Sequence, residues 1–172
     1  MRHTVIVSDG FAGLVPGGRY VVNAAADGVS IHDGNARAVA RLSVVPGGEL
    51  SSAAGCWRVA VERQGRGWVV VARELVSQEP VGCAYPRGWL NSFDLWAAPE
   101  WEYRLREKPF LGSWILRGEF GEVARFKRGR AWTIALAESV IPDPRLALVI
   151  LLAYEAIRYG ELIPTATSAG GG

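Results

Sequence analysis

Histidine and cysteine are scarce in this chain: two of each among 172 residues. His3, His32, Cys56 and Cys83 are widely separated, so none of the close ligand spacings of a zinc site occurs and no metal is expected. Two cysteines cannot form a disulfide framework. They suit a reducing cytoplasm, with a single Cys56–Cys83 bridge left open. No apolar run reaches the roughly eighteen residues of a membrane span; the uncharged stretch 146–154 would cross only about half of a bilayer core. The opening MRHTVIVSDG has no secretory apolar region, and no glycine-rich phosphate loop of familiar spacing is present. Lysine is nearly missing as well. Seventeen of the nineteen basic residues are arginine, which reads as the coding bias of a GC-rich bacterial gene and not as arginine chemistry. A net charge of +2 is too small to require nucleic acid or an acidic partner.

What is present is alternation. In WEYRLR, Trp101, Tyr103 and Leu105 face one way and Glu102, Arg104 and Arg106 the other; CWRVAVER behaves alike. GVSIHD, ARAVARLSVV, GWVVVAREL, GSWILRG, EVARFK and AWTIALAE continue the rhythm. Turn signals separate them: DGN at 33–35, QGRG at 64–67, GEFGE at 118–122 and KRGR at 127–130. Nine to twelve strands with no helix between them predict an antiparallel sandwich or barrel. Residues 77–100 carry Pro80, Pro86 and Pro99 and read as an irregular connector between two sheet halves.

The C-terminal segment IPDPRLALVILLAYEAIRYGE has a different period. Asp143 then Pro144 signals a helix start, Gly160 a stop, giving a helix over about 144–159. Leu146, Leu148, Val149, Ile150, Leu151 and Leu152 leave it no polar stripe, so protein or lipid must surround it. Its length excludes lipid. Glu155, Arg158 and Glu161 are expected to restore a wet face at the end. The chain thus reads as mainly β: a closed antiparallel β-barrel of about twelve strands surrounding a C-terminal apolar α-helix. One domain is expected over 1–163, with 164–172 a flexible tail.

The stretch WILRGEFGEVARFKRGRAWTIALAESVIPDPRLALVILLAYEAI, residues 114–157, resembles the end of the tubby C-terminal-like superfamily, which includes LURP-one-related proteins and phospholipid scramblases. The matching pattern is a strand, a glycine turn, a strand of the form G-x-V-A-x-[FI], a further strand, then an aspartate before an apolar helix. The resemblance implies a twelve-stranded barrel closed around the last helix. Scramblase activity is not expected, because the chain has neither an acidic calcium loop nor a cysteine cluster.

Candidate chemistry is sparse. His32 beside Asp33 has the makings of an oriented base, and Cys83 of a nucleophile; a turn-side histidine and a structural thiol are the plainer readings. Trp57, Trp101 and Trp132 fall on the apolar phase of strands and are assigned to the core, leaving Trp89 and Trp96 as an exposed pair. The strongest candidate is basic. Residues 101–130 hold eight basic and four acidic side chains, and Arg125, Lys127, Arg128 and Arg130 cluster at one turn, with Arg104, Arg106 and Lys108 on an earlier strand. Such a cluster suits phosphates or an anionic membrane surface. The expectation is a monomeric, cytoplasmic, non-enzymatic binding domain without cofactor, peripheral at an anionic phospholipid surface. A protein-interaction module, and an enzyme with a site at the barrel mouth, are the alternatives.

Overall fold

The computed structural model describes residues 10–43, 48–87, 91–99 and 101–162; Trp89, the side chain of Trp101 and the tail 164–172 lie outside them. Twelve strands precede one helix: β1 (Arg19–Ala25), β2 (Gly28–Asp33), β3 (Ala38–Ser43), β4 (Glu49–Ser52), β5 (Gly55–Gln64), β6 (Gly67–Glu74), β7 (Pro80–Pro86), β8 (Ser92–Ala97), β9 (Trp101–Lys108), β10 (Ser113–Gly118), β11 (Gly121–Lys127), β12 (Trp132–Leu136) and α1 (Leu146–Leu162). Each strand pairs antiparallel with its neighbours in sequence, and β12 returns to β1 through Arg19↔Ala135 to Val22↔Trp132. The closed barrel leaves no strand edge among these twelve.

Alternation sends one set of side chains inward: Ile31, Leu50, Val70, Leu105, Leu116 and Phe126 are all essentially inaccessible. They surround α1, in which every residue from Leu146 to Ile157 is buried. The helix is not centred. It lies nearest β6, β7 and β8, where the inward residues include Ala72, Gly82, Ala84 and Ala97, and these small groups let the backbones approach. Across the barrel, Trp114, Leu116, Phe126 and Ile134 fill the wider gap. Gly82 marks the closest wall: a Cβ there would stand 2.9 Å from Leu152 Cδ1 and 3.1 Å from the Trp96 carbonyl oxygen.

Four expectations need correction. Residues 77–100 are not a connector, because β7 and β8 run through them as paired strands. Pro80 and Pro86 are the first and last residues of β7, positions where a missing N–H costs the ladder least. The helix begins at Leu146, after a turn in which Asp143 Oδ1 accepts the Arg145 backbone N–H at 2.7 Å. Gly160 lies inside the helix and does not end it: a Cβ at that position would stand 3.0 Å from Phe93 Cζ. Finally, Glu155 is buried at 5% exposure and is not on a wet stripe. Its Oε2 accepts from Arg158 at 2.7 Å, and its Oε1 has no partner among the described residues. A spacing of three groups Glu155 with Arg158 and Glu161, but only the latter two emerge beyond the barrel wall.

Gly82→Val is expected to lower stability by about 1–3 kcal/mol in chemical denaturation, through overpacking against Leu152. Leu151→Asp should abolish cooperative melting through an unpaired buried charge. The Arg145 side chain, aided by its backbone N–H, holds the Asp143 carboxyl below its usual range. A lowered folded pKa contributes stability above the unfolded value of about 3.9, and that contribution is lost as pH falls through the folded pKa. The stability gap between wild type and Asp143→Asn should therefore be full at neutral pH and close under acid.

Candidate functional site

An up-and-down barrel puts successive turns at alternate ends. The β2–β3, β6–β7, β8–β9 and β10–β11 turns share the end where α1 begins; the β1–β2, β5–β6, β7–β8, β9–β10 and β11–β12 turns share the end where it finishes. The helix direction is fixed by two contacts, Arg145 to the Ala98 carbonyl at one end and Arg128 to Glu161 (3.3 Å) at the other.

Charge is sorted between these ends. At the helix C-terminal end stand Arg63, Arg66, Arg87, Lys108, Lys127, Arg128 and Arg130, opposed by Asp27, Glu49, Glu107 and Glu161. At the other end stand Asp33, Glu74, Glu79, Glu119, Glu138 and Asp143, with Arg19 at the start of β1 and Arg73 and Arg117 next to last in β6 and β10. Arg37 and Arg145, in the turns there, are bonded to Asp33 and Asp143. Glu74, Glu79, Glu119 and Glu138 have no cation partner among the described residues.

The basic end contains three of the four expected site residues. Lys127 and Arg130 are exposed and have no carboxylate partner among the described residues. Arg128 is more engaged: it pairs with Glu161, lies 5.8 Å over the Trp132 ring, and donates its backbone N–H to the Gly112 carbonyl at 3.0 Å. Arg125 is separate. It sits on the outer wall of β11, and Glu122 neutralises it through contacts of 3.2 and 3.1 Å. Of the earlier strand, Lys108 joins the basic end, in register with Ser113 and through it Lys127.

Sequence reasoning missed the tip of the adjacent β9–β10 turn. Phe110 is fully exposed (105%) and Leu111 is 63% exposed, between Lys108 and the basic β11–β12 turn. The signal was the string KPFLG, an apolar pair between proline and glycine with a lysine before it.

Two concavities are formed by the described residues. On the outer wall a cleft of about 960 Å³ spans β7 to β10. Ile115, buried at 5% exposure, is part of its lining. Within it Asp94 bridges Arg87 (3.2 Å) and Arg104 (3.4 Å), while Arg106 and Arg117 have no carboxylate partner among the described residues. Trp96 is half-buried in this cleft rather than exposed as part of a pair. A smaller cavity of about 320 Å³ opens beside the start of α1, lined by Tyr103, Phe120, Val123, Val140, Ile141 and Leu146.

The catalytic candidates are not brought together. Asp33 turns away from His32: its carboxylate accepts backbone N–H bonds from Arg37 and Asn35 and pairs with the Arg37 side chain, which together hold it below its usual range. His32 Nδ1 meets the Asn23 amide at 2.9 Å instead. Cys83 and Cys56 are free thiols on separate strands, and burial pushes the Cys83 thiol up, opposite to an activated nucleophile. Trp57 and Trp132 do pack against the core. No set of three or more metal-ligating side chains converges among the described residues, and no helix among them is long and apolar enough to cross a membrane.

In a Cys56→Ser background, the pH midpoint for alkylation of Cys83 is expected above that of a free cysteine, since only the thiolate reacts. A midpoint below it would restore Cys83 as a nucleophile.

Comparison with protein-family models, with curated proteins and with solved structures gave no match to this chain.

Proposed function

We propose that the chain is a non-enzymatic, tubby-like barrel that docks its basic end on an anionic phospholipid surface, as a peripheral, monomeric protein on the cytoplasmic side. One observation carries this reading: cations are in excess at one end of the barrel and carboxylates at the other. A net charge near zero would give weak attraction for a molecule of mixed surface, but a polarised barrel presents one end to a negative plane and keeps the other away. Lys127 and Arg130 are free to meet lipid phosphates; Arg128 ties their turn to the end of α1. The closed wall supports a monomer, since it offers no edge strand for pairing with a second copy.

A second reading draws on the opposite end. Phe120 and Ile141 are 76% and 59% exposed beside the smaller cavity, and uncompensated glutamates rim it, which suits a protein partner bearing apolar and basic side chains. The enzyme alternative has less support: His32 and Asp33 are engaged with Asn23 and Arg37, and burial raises the Cys83 thiol.

Co-sedimentation with phosphatidylserine-containing vesicles at low salt tests the reading. Wild type should bind these and not zwitterionic vesicles. Lys127→Glu/Arg130→Glu should weaken binding more than about tenfold, since each basic residue contributes to attraction and its reversal adds repulsion. Glu79→Lys, at the far end, should change little. A wild type that ignores anionic vesicles, or an equal loss in Glu79→Lys, overturns the proposal.

A further inference from the structure

We infer that the β9–β10 turn is a membrane-inserting wedge: Phe110 and Leu111 pass the phosphate plane and enter the acyl region, while Lys108, Lys127 and Arg130 hold the phosphates around them. The inference rests on the docking reading above and names how deep and by which residues the protein engages.

Four observations carry it. First, the apolar pair is out in water at the apex of a turn, and the exposure of Phe110 is complete. Second, the exposure is built into the backbone. Phe110 has φ +66° and Gly112 φ +55°. A left-handed conformation is unfavourable for a phenylalanine, and strain of this kind persists where the surroundings enforce it. Here Leu111 N–H donates to the Lys108 carbonyl at 3.3 Å, and Arg128 N–H to the Gly112 carbonyl at 3.0 Å. Third, the barrel has no room to take the ring back. The end beneath is closed by an aromatic plug: Trp68 lies 5.7 Å from Phe93 and 4.6 Å from Tyr159, and Phe93 lies 5.6 Å from Trp114, between ring centroids.

The fourth observation selects the occupant. The apolar pair is exposed at a short turn, with cations beside it in the strand before it and on the turn bonded to it. Apolar tip and basic collar match the two layers of an anionic bilayer in order of depth. A protein groove for Phe110 would need acidic walls on both sides of the tip, a more specific demand than a lipid surface makes.

The wedge predicts two separable components of binding. Charge attraction falls with salt, whereas insertion of apolar side chains does not. The test uses the full chain on phosphatidylserine-containing vesicles at low and high salt. Phe110→Ser/Leu111→Ser should lose roughly tenfold or more of its affinity and nearly all of the salt-resistant remainder. Phe110→Trp/Leu111→Trp should keep both. Neither pair touches the core, so thermal melting should be unchanged, which separates lost insertion from lost fold. A fluorophore on Leu111→Cys, in a chain lacking Cys56 and Cys83, should shift blue on vesicles and be quenched by acyl-chain spin labels.

Serine variants that bind as wild type, or a fluorophore that stays aqueous on bound vesicles, overturn the wedge and leave charge docking intact. Binding lost in Lys127→Glu/Arg130→Glu but kept in the serine pair does the same. Absence of wild-type binding to anionic vesicles overturns both, and insertion of Phe110 into a protein partner would then be the reading left for the tip.

Discussion

An α-helix with apolar side chains on every side cannot be solvated by water, and a single flat sheet covers only one of its faces. The 3.6-residue period sends Leu148, Ile150, Leu151 and Leu152 in different directions, and each is buried to about 1% exposure or less. A closed wall satisfies all of them together. The constraint also shapes the wall itself. Ala72, Gly82, Ala84 and Ala97 admit the helix backbone on one side, and Trp114, Leu116, Phe126 and Ile134 reach across on the other. A uniform lining of leucines would either hold the helix off or leave voids, and interiors tolerate neither well.

Closure has a consequence for where function can reside. The interior is filled, and the strand edges are consumed in hydrogen bonds, so variable chemistry is left to the outer wall and the turns. On the wall, three cations are paired, Arg73 with Glu62, Arg104 with Asp94 and Arg125 with Glu122, while Arg106 and Arg117 in the cleft have no carboxylate partner among the described residues. At the basic end, Arg63, Arg66, Lys108, Lys127 and Arg130 have no carboxylate partner among the described residues. Exposed ion pairs stabilise little, so the wall pairs matter chiefly because they reduce the charge of the sides relative to that of the two ends.

The barrel, its strand rhythm and its buried helix were legible because they rest on periodicity, which the chain carries locally. Three features were not. Prolines suggested a break at residues 77–100, yet Pro80 and Pro86 occupy strand termini, and pattern reading locates element ends poorly. The helical spacing grouped Glu155 with Arg158 and Glu161; how far the wall reaches along the helix is a tertiary fact that no helical wheel contains. The poles were hidden most completely. Consecutive turns go to opposite ends, so Lys108, Glu119 and Arg128 alternate in sign along the sequence while being sorted in space. The window 101–130 caught the basic excess only because strand and turn cations were counted together, and Arg125 was drawn into the site for that reason.

The enclosed helix offers one structural account of the poles. Its dipole places partial positive charge at the end rimmed by carboxylates and partial negative charge at the end rimmed by cations, so both rims complement it. The range of that effect decides how much it explains. It fades within the first and last turn of a helix, which accounts for Asp143 at the start. Arg128, bonded to Glu161 beside the last carbonyls, fits the same account. It does not extend to Lys108, Lys127 or Arg130, which are exposed residues of the strand ends and turns and have no carboxylate partner among the described residues. Nor does the dipole favour leaving Phe110 in water beside them. The dipole therefore leaves these residues unexplained, and under the docking proposal an external anionic, apolar-cored surface would meet the cations and the ring together.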